Sequence, residues 1–329
     1  MRRSTILSAI LWACAVVSAA VLAGCTDYYP PHMRPLSGKM RALMAEKGMT
    51  PSQPILIRVF KSESELEVWK QKDDGHYYHL KTYPICKYSG GLGPKQNQGD
   101  LQAPEGFYVV DRKRLNPKSH YHLSFNIGYP NAFDRSLNRT GANLMVHGEC
   151  KSRGCYAMTD PLIEEIYALA AEAFAGGQEK FQVHAFPFRM TTANLAAQTS
   201  SKWFDFWVNL KEGYDYFEVT RLEPTIAVCG KRYVFNAAFP GGAYPNPSRA
   251  CPRYQKLPAV AFKPIPEQQS VAQSTLAEPL GRDIELRVGE ATPVYNMMTL
   301  GPATPDPEAR NKVKTGDKDK VAQRGSYEN

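Results

Sequence analysis

Apolar and polar positions alternate differently in successive stretches of this chain, and each change of rhythm predicts an element. An unbroken apolar run from Ile6 to Leu22 follows the basic start Met1-Arg2-Arg3. The run is borderline for a membrane span, which wants about 20 apolar residues, and its basic flank marks a secretory signal over residues 1–24. Residues 25–54 read as a tether with one short amphipathic helix, Lys39 to Lys47, stopped by Gly48. Ile55 to Phe60 reads as a strand. Leu66 to Lys70 and Tyr77 to Ile85 read as two more, joined by the turn-forming Asp73-Asp74-Gly75. After a glycine-rich polar loop, Tyr88 to Gly106, strand patterns return at Phe107 to Val110, Tyr121 to Ile127 and Asn143 to Val146, the last running straight into His147. Asp160 is placed to cap a helix, with Pro161 at its first position and Glu164 and Glu165 in its first turn. Leu162, Ile166, Ala170 and Phe174 would form its buried stripe, and Gly176-Gly177 its end. Phe181 to Phe186 reads as a strand and Lys202 to Lys211 as a helix stopped at Gly213. The pattern predicts a mostly β, α+β body over residues 55–220 and an extension over 221–262. Residues 263–329, proline-rich, polar and poor in aromatics, are expected to form a disordered tail.

With 43% hydrophobic positions in 329 residues, the chain can bury a substantial core. Its formal charge of +8 falls to +6 once Arg2 and Arg3 leave with an acid-free signal. This mild excess suits an anionic polymer or membrane surface. The cations are not interleaved with aromatics in the manner of a nucleic-acid surface, so nucleic acid is not an expected partner. Leu22-Ala23-Gly24-Cys25 resembles the lipobox of bacterial lipoproteins, which implies cleavage before Cys25, lipidation of its sulfur and a membrane anchor. Asp27 rather than an acid at position 26 follows, so the expected location is the periplasmic face of the outer membrane. Beyond Cys14 and Cys25 remain Cys86, Cys150, Cys155, Cys229 and Cys251, an odd set in an oxidising compartment. Cys155 is the candidate free thiol and Cys229–Cys251 the first bridge expected; spacing alone leaves the connectivity open.

The chemistry concentrates in Val146-His147-Gly148-Glu149-Cys150-Lys151-Ser152-Arg153-Gly154-Cys155. A free cysteine titrates near ~8.5 and attacks as the thiolate, so a nucleophilic thiol needs a base beside it. Bland readings stand next to this one. Cys155 can be a buried structural residue or half of a bridge to Cys150, and His147 a satisfied core histidine. His147, Cys150 and Cys155 are too few for a closed zinc site, so no metal is expected. Gly90-Gly91-Leu92-Gly93 lacks the ending of a phosphate loop and reads instead as a flexible cleft wall, so no cofactor is expected.

Ser152-Arg153-Gly154-Cys155 preceded by His147-Gly148 resembles the active-site segment of YkuD-type L,D-transpeptidases, in their YafK-like branch. Gly91-Leu92-Gly93-Pro94-Lys95, Ala103 to Tyr108, Asn126 to Asn131 and Val183 to Pro187 resemble the same branch, and the likeness covers roughly Ile55 to Phe217. Most relatives carry histidine in place of Arg153. The resemblance implies a β-sandwich with flanking helices and a cysteine acyltransferase acting on peptidoglycan stem peptides. Cys155 is then the nucleophile and His147 the base and acid, with the Gly148 carbonyl orienting the imidazole. Ser152 would donate a hydrogen bond nearby, and the Gly154 N–H would help form an oxyanion hole. Tyr129, Asp134, Arg153, His184 and Lys87 are candidate substrate contacts, although a surface lysine is more often merely solvated and a strand histidine more often structural. The same thioester serves crosslinking or, in the opposite direction, hydrolysis that detaches murein-bound lipoprotein. A non-catalytic wall-binding lipoprotein is the third possibility.

Overall fold

The computed structural model describes residues 29–242 and 244–263. The signal, Cys25 and the expected tail from residue 264 on lie outside the described residues.

Ser37 opens helix α1 (Gly38–Glu46), accepting the Met40 N–H at 3.1 Å. Met40 and Met44 are buried in the main core with Leu36 and Met49. The part of the expected tether that is described is therefore packed onto the body. Strands β1 (Ile55–Phe60), β2 (Glu65–Gln71) and β3 (Tyr77–Pro84) form an antiparallel meander. Then come β4 (Lys87–Tyr88), β5 (Gly106–Asp111), β6 (Leu115–Asn116), β7 (Ser124–Asn126) and helix α2 (Ala132–Ser136). Next are β8 (Met145–His147), β9 (Tyr156–Ala157), α3 (Asp160–Ala175), β10 (Lys180–Phe186), α4 (Thr192–Ala196) and α5 (Phe204–Thr220). The described chain finishes with two hairpin pairs, β11 (Ile226–Cys229) with β12 (Arg232–Phe235) and β13 (Ala237–Ala238) with β14 (Gln255–Lys256).

Two five-stranded sheets result, ordered β3-β2-β1-β10-β5 and β4-β9-β8-β7-β6. They share one core: Ile57, Val59 and Val183 of the first sheet pack in one cluster with Phe125, Val146 and Tyr156 of the second and with Ile163, Ile166 and Ala170 of α3. This is the mostly β, α+β fold that the hydrophobic pattern predicts. Central β1 is buried along its whole length. Its odd positions face that core, while Leu56 turns to the other side and meets Trp69, Tyr77 and Phe217. Such two-sided burial explains why Ile55 to Phe60 lacks clean alternation.

Several boundaries differ from expectation. The cap position of α3 is Thr159, and Asp160 is its first residue; the Asp160 carboxylate instead accepts the Glu149 N–H at 2.8 Å. The α3 stripe centres on Ile163, Ile166, Ala170 and Phe174, leaving Leu162 only half-buried. Helix α5 runs through Gly213 to Thr220 because the missing side chain is a packing slot: a Cβ there would sit 2.5 Å from Phe235 and 2.6 Å from Phe107. The expected strand from Tyr121 shrinks to Ser124–Asn126, since His122 adopts φ 63° and turns the chain. Residues beyond 220 pack on the body as well, with Tyr233 and Phe235 in the same cluster as Phe107, Trp207 and Leu210. Cys229 and Cys251 are bridged, clamping the loop between β12 and β14 back onto β11.

Candidate active site

Strands β8 and β9 run parallel, with Val146 opposite Tyr156 and His147 opposite Ala157. Parallel neighbours ordinarily need a crossover of a dozen or more residues. Here residues 148–155 alone make the return. So short a path forces unusual backbone: Glu149 and Cys150 have φ of 63° and 48°, and Gly154 has φ 114°. Only glycine reaches the last value without steric cost, which accounts for a glycine directly before the cysteine.

Side chains in a strand alternate between faces. Val146, Phe125 and Tyr156 point into the shared core. His147 and Met145 therefore take the opposite face, whereas Cys155, just before β9 and in register with Met145, packs against the edge of the shared core. One strand spacing and two residues of offset separate His147 from Cys155, about 8 Å between Cα atoms by ordinary sheet dimensions. The row across this face reads Lys87, Ala157, His147, Ser124.

His147 is 3% exposed, and its Nδ1 lies 2.7 Å from the Gly148 carbonyl. That nitrogen must carry the proton, because a carbonyl only accepts, so Nε2 keeps its lone pair. The Tyr121 ring covers the imidazole at 4.8 Å. Gly148 is confined: an added Cβ would lie 2.6 Å from the Asp160 carboxylate and 3.0 Å from the Tyr121 carbonyl. Burial pushes the His147 pKa below its ordinary value, against the Gly148 hydrogen bond and the nearby Glu149 charge.

Cys155 is the free cysteine among the described residues, since Cys86 and Cys150 are bridged. That bridge rules out a Cys150–Cys155 disulfide and removes Cys150 from any metal-ligand set with His147. The Cys155 sulfur accepts the Met145 N–H at 3.4 Å and donates to the Asn143 carbonyl at 3.6 Å. Burial raises the thiol pKa, opposed by the Met145 N–H and the positive charge of Lys95. A raised thiol and a lowered imidazole are both neutral at rest, which suits proton transfer during attack rather than a preformed thiolate.

The Ser152 hydroxyl donates to the Cys155 carbonyl at 2.7 Å and so braces the loop. The Gly154 N–H donates to Ser89 Oγ at 2.5 Å, and that hydroxyl donates in turn to the Leu101 carbonyl at 2.7 Å. The same N–H also reaches Ser152 Oγ at 3.3 Å, so an oxyanion there would displace both hydroxyls as acceptors. Ser89, Tyr121 and Asn143 were not expected at the site. A serine outside the motif, a tyrosine ahead of a strand and a backbone carbonyl carry no signal in a single sequence.

The remaining expected contacts separate. Arg153 is exposed and without an ion pair among the described residues, two positions before Cys155. Lys87 is exposed on the same face as His147. Three others are buried and already hold partners within the fold. His184 is fully buried in the first sheet, its Nε2 on the Gln182 side chain and its ring against Phe107. Asp134 is fully buried, paired with Arg139 at 2.9 Å and closing the capping box of α2. Tyr129 is 5% exposed and hydrogen-bonds the Lys95 and Thr140 carbonyls, tying two loops together.

The glycine loop is corrected, from flexible to pinned. Lys61 Nζ donates to the Gly91 and Gly93 carbonyls at 3.0 and 2.9 Å and pairs with Glu105 at 3.0 Å, both partners fully buried. Glu105 in turn accepts the Gly93 N–H at 2.7 Å and the Trp207 indole N–H at 2.8 Å.

Residues 54–180 match the family model of the YkuD L,D-transpeptidase catalytic domain. The Escherichia coli K12 protein named "Putative L,D-transpeptidase YafK" is 50% identical over 181 residues, 55% of this chain and 73% of that protein, and its O157:H7 counterpart matches equally. Among solved structures, the helical cell shape determining protein Pgp2 of Campylobacter jejuni is 22% identical over 57% of this chain and 69% of that one, with a TM-score of 0.34. Bd1075 of Bdellovibrio bacteriovorus is 20% identical, covering 58% and 66%, with a TM-score of 0.30. Half-identity over 73% of a curated relative, together with the catalytic-domain match, makes this chain a member of the YkuD family of L,D-transpeptidases.

Proposed function

We propose that this chain is a periplasmic, cysteine-dependent L,D-transpeptidase acting on peptidoglycan stem peptides. The observation that carries the proposal is an unbridged Cys155 just before β9, beside the strand whose last residue, His147, has its Nδ1 held by the Gly148 carbonyl. Cys155 Sγ attacks the carbonyl between diaminopimelate and the terminal D-alanine, and His147 Nε2 takes the thiol proton. Collapse of the tetrahedral intermediate breaks the C–N bond; the imidazolium returns that proton to the departing D-alanine amine, leaving a thioester. An amine then attacks in crosslinking, its proton taken by the same imidazole. If water attacks instead, the outcome is hydrolysis, including release of murein-bound lipoprotein. Exposed Arg153 and Lys87 supply positive charge for the substrate's carboxylates.

Two disulfides among the described residues support an oxidising compartment. The lipobox pattern supports anchoring through acylated Cys25, facing the periplasm from the outer membrane. Mass analysis of stem peptides incubated with the purified protein tests the chemistry. D-alanine release with a crosslinked product supports transpeptidation, and release with a shortened peptide alone supports hydrolysis. Full activity in Cys155→Ala would overturn both.

A further inference from the structure

The residues after His147 hold a conformation that their own chemistry opposes. Glu149 and Cys150 both lie in the left-handed region, one after the other, and neither is glycine or asparagine. Such a pair persists only where its surroundings over-determine it. Three hydrogen bonds and one covalent bond do so here. The Glu149 N–H donates to Asp160 Oδ1 at 2.8 Å, the Cys150 N–H to the Met158 carbonyl at 3.1 Å, and the Met158 N–H to the His147 carbonyl at 2.7 Å. The covalent bond is the bridge from Cys150 to Cys86, which sits directly before β4 and thus ties the turn to the edge strand that pairs with β9.

The turn matters because φ of Glu149 sets the direction of the Gly148–Glu149 peptide, and the carbonyl of that peptide is the one on His147 Nδ1. Released, the chain can relax Glu149 and Cys150 to negative φ, and the carbonyl swings off the imidazole. The ring is then free to rotate or to change tautomer.

We propose that the Cys86–Cys150 disulfide is a positioning device for His147, holding the left-handed turn that aims the Gly148 carbonyl, and that opening it switches catalysis off while leaving Cys155 untouched. The inference rests on the function proposed above and adds a redox control to the same site. The opening reaction takes a dithiol: two electrons and two protons pass to the bridge, Cys86 and Cys150 become thiols, and the reductant closes its own disulfide.

Turnover of a stem tetrapeptide by the full chain tests this. Cys86→Ser/Cys150→Ser should lose tenfold or more in kcat with KM within about twofold. Cys86→Ser/Cys150→Gly, which restores a residue at ease with positive φ, should recover most of that loss. A bridge that only stabilises the fold gives no reason for glycine to outperform serine. Cys229→Ser/Cys251→Ser, in the extension, should leave kcat unchanged. Should the double-serine variant not fold, the comparison moves to that extension variant reduced by a dithiol, with and without Glu149→Gly, where glycine should preserve the greater activity. Equal activity of glycine and serine forms, or full kcat without the bridge, overturns the proposal. An oxidised parent protein that turns over no tetrapeptide would overturn the underlying functional reading instead.

Discussion

At the scale of single residues, burial displaces two ordinary groups of the candidate site in opposite directions. Burial moves the Cys155 thiol upward from about 9 and the His147 imidazole downward from 6.5. A protonated imidazole cannot accept the thiol proton, so activity falls with pH only below the lowered His147 value. The profile of kcat/KM, which reports the free enzyme, should therefore have its acid limb centred below pH 6.5; an acid limb centred above 7 would contradict this. His147→Gln should cut kcat at least a hundredfold with little change in melting temperature, since it removes a base and keeps a similar shape. Asp134 behaves differently. Its removal leaves Arg139 buried and unpaired, so Asp134→Ala should cost about 3–5 kcal/mol in urea unfolding. A large rise in KM at unchanged stability would restore it as a substrate contact.

At the scale of elements, the decisive feature is the short return between the parallel strands β8 and β9. It sets His147, at the end of one strand, and Cys155, just before the next, at neighbouring strand ends of one sheet. The sequence pattern already showed a strand running into His147, but not that the following strand lies parallel to it. Tertiary packing also overrode local signals elsewhere. Gly213 looks like a helix stop, and the structure uses it as a slot for Phe107 and Phe235. Alanine is the better helix former by about 1 kcal/mol, yet overpacking costs about 1–3 kcal/mol. Gly213→Ala should therefore lower the melting temperature in calorimetry; a rise would show that the two rings can move apart.

At the scale of the whole molecule, the strands, the long helix after the motif and the Cys229–Cys251 bridge were legible in the sequence. So was the cluster His147, Gly148, Ser152, Gly154, Cys155. What stayed hidden depends on distant pairings. Lys61 and Glu105, 44 positions apart, form a fully buried pair under the glycine loop. His184 and Asp134 have functional-looking side chains, and only the three-dimensional core reveals their burial. Cys86 and Cys150 are 64 positions apart with no pattern to pair them.

All the chemistry assigned here passes through a thioester on one sulfur. Intact-protein mass spectrometry, on the purified chain mixed with stem tetrapeptide and quenched in acid, looks for that bond directly. The account predicts one tripeptide acyl group on Cys155 with one D-alanine freed, and no adduct on Cys155→Ala. Tetrapeptide consumption with an unmodified Cys155, undiminished in Cys155→Ala, would contradict it.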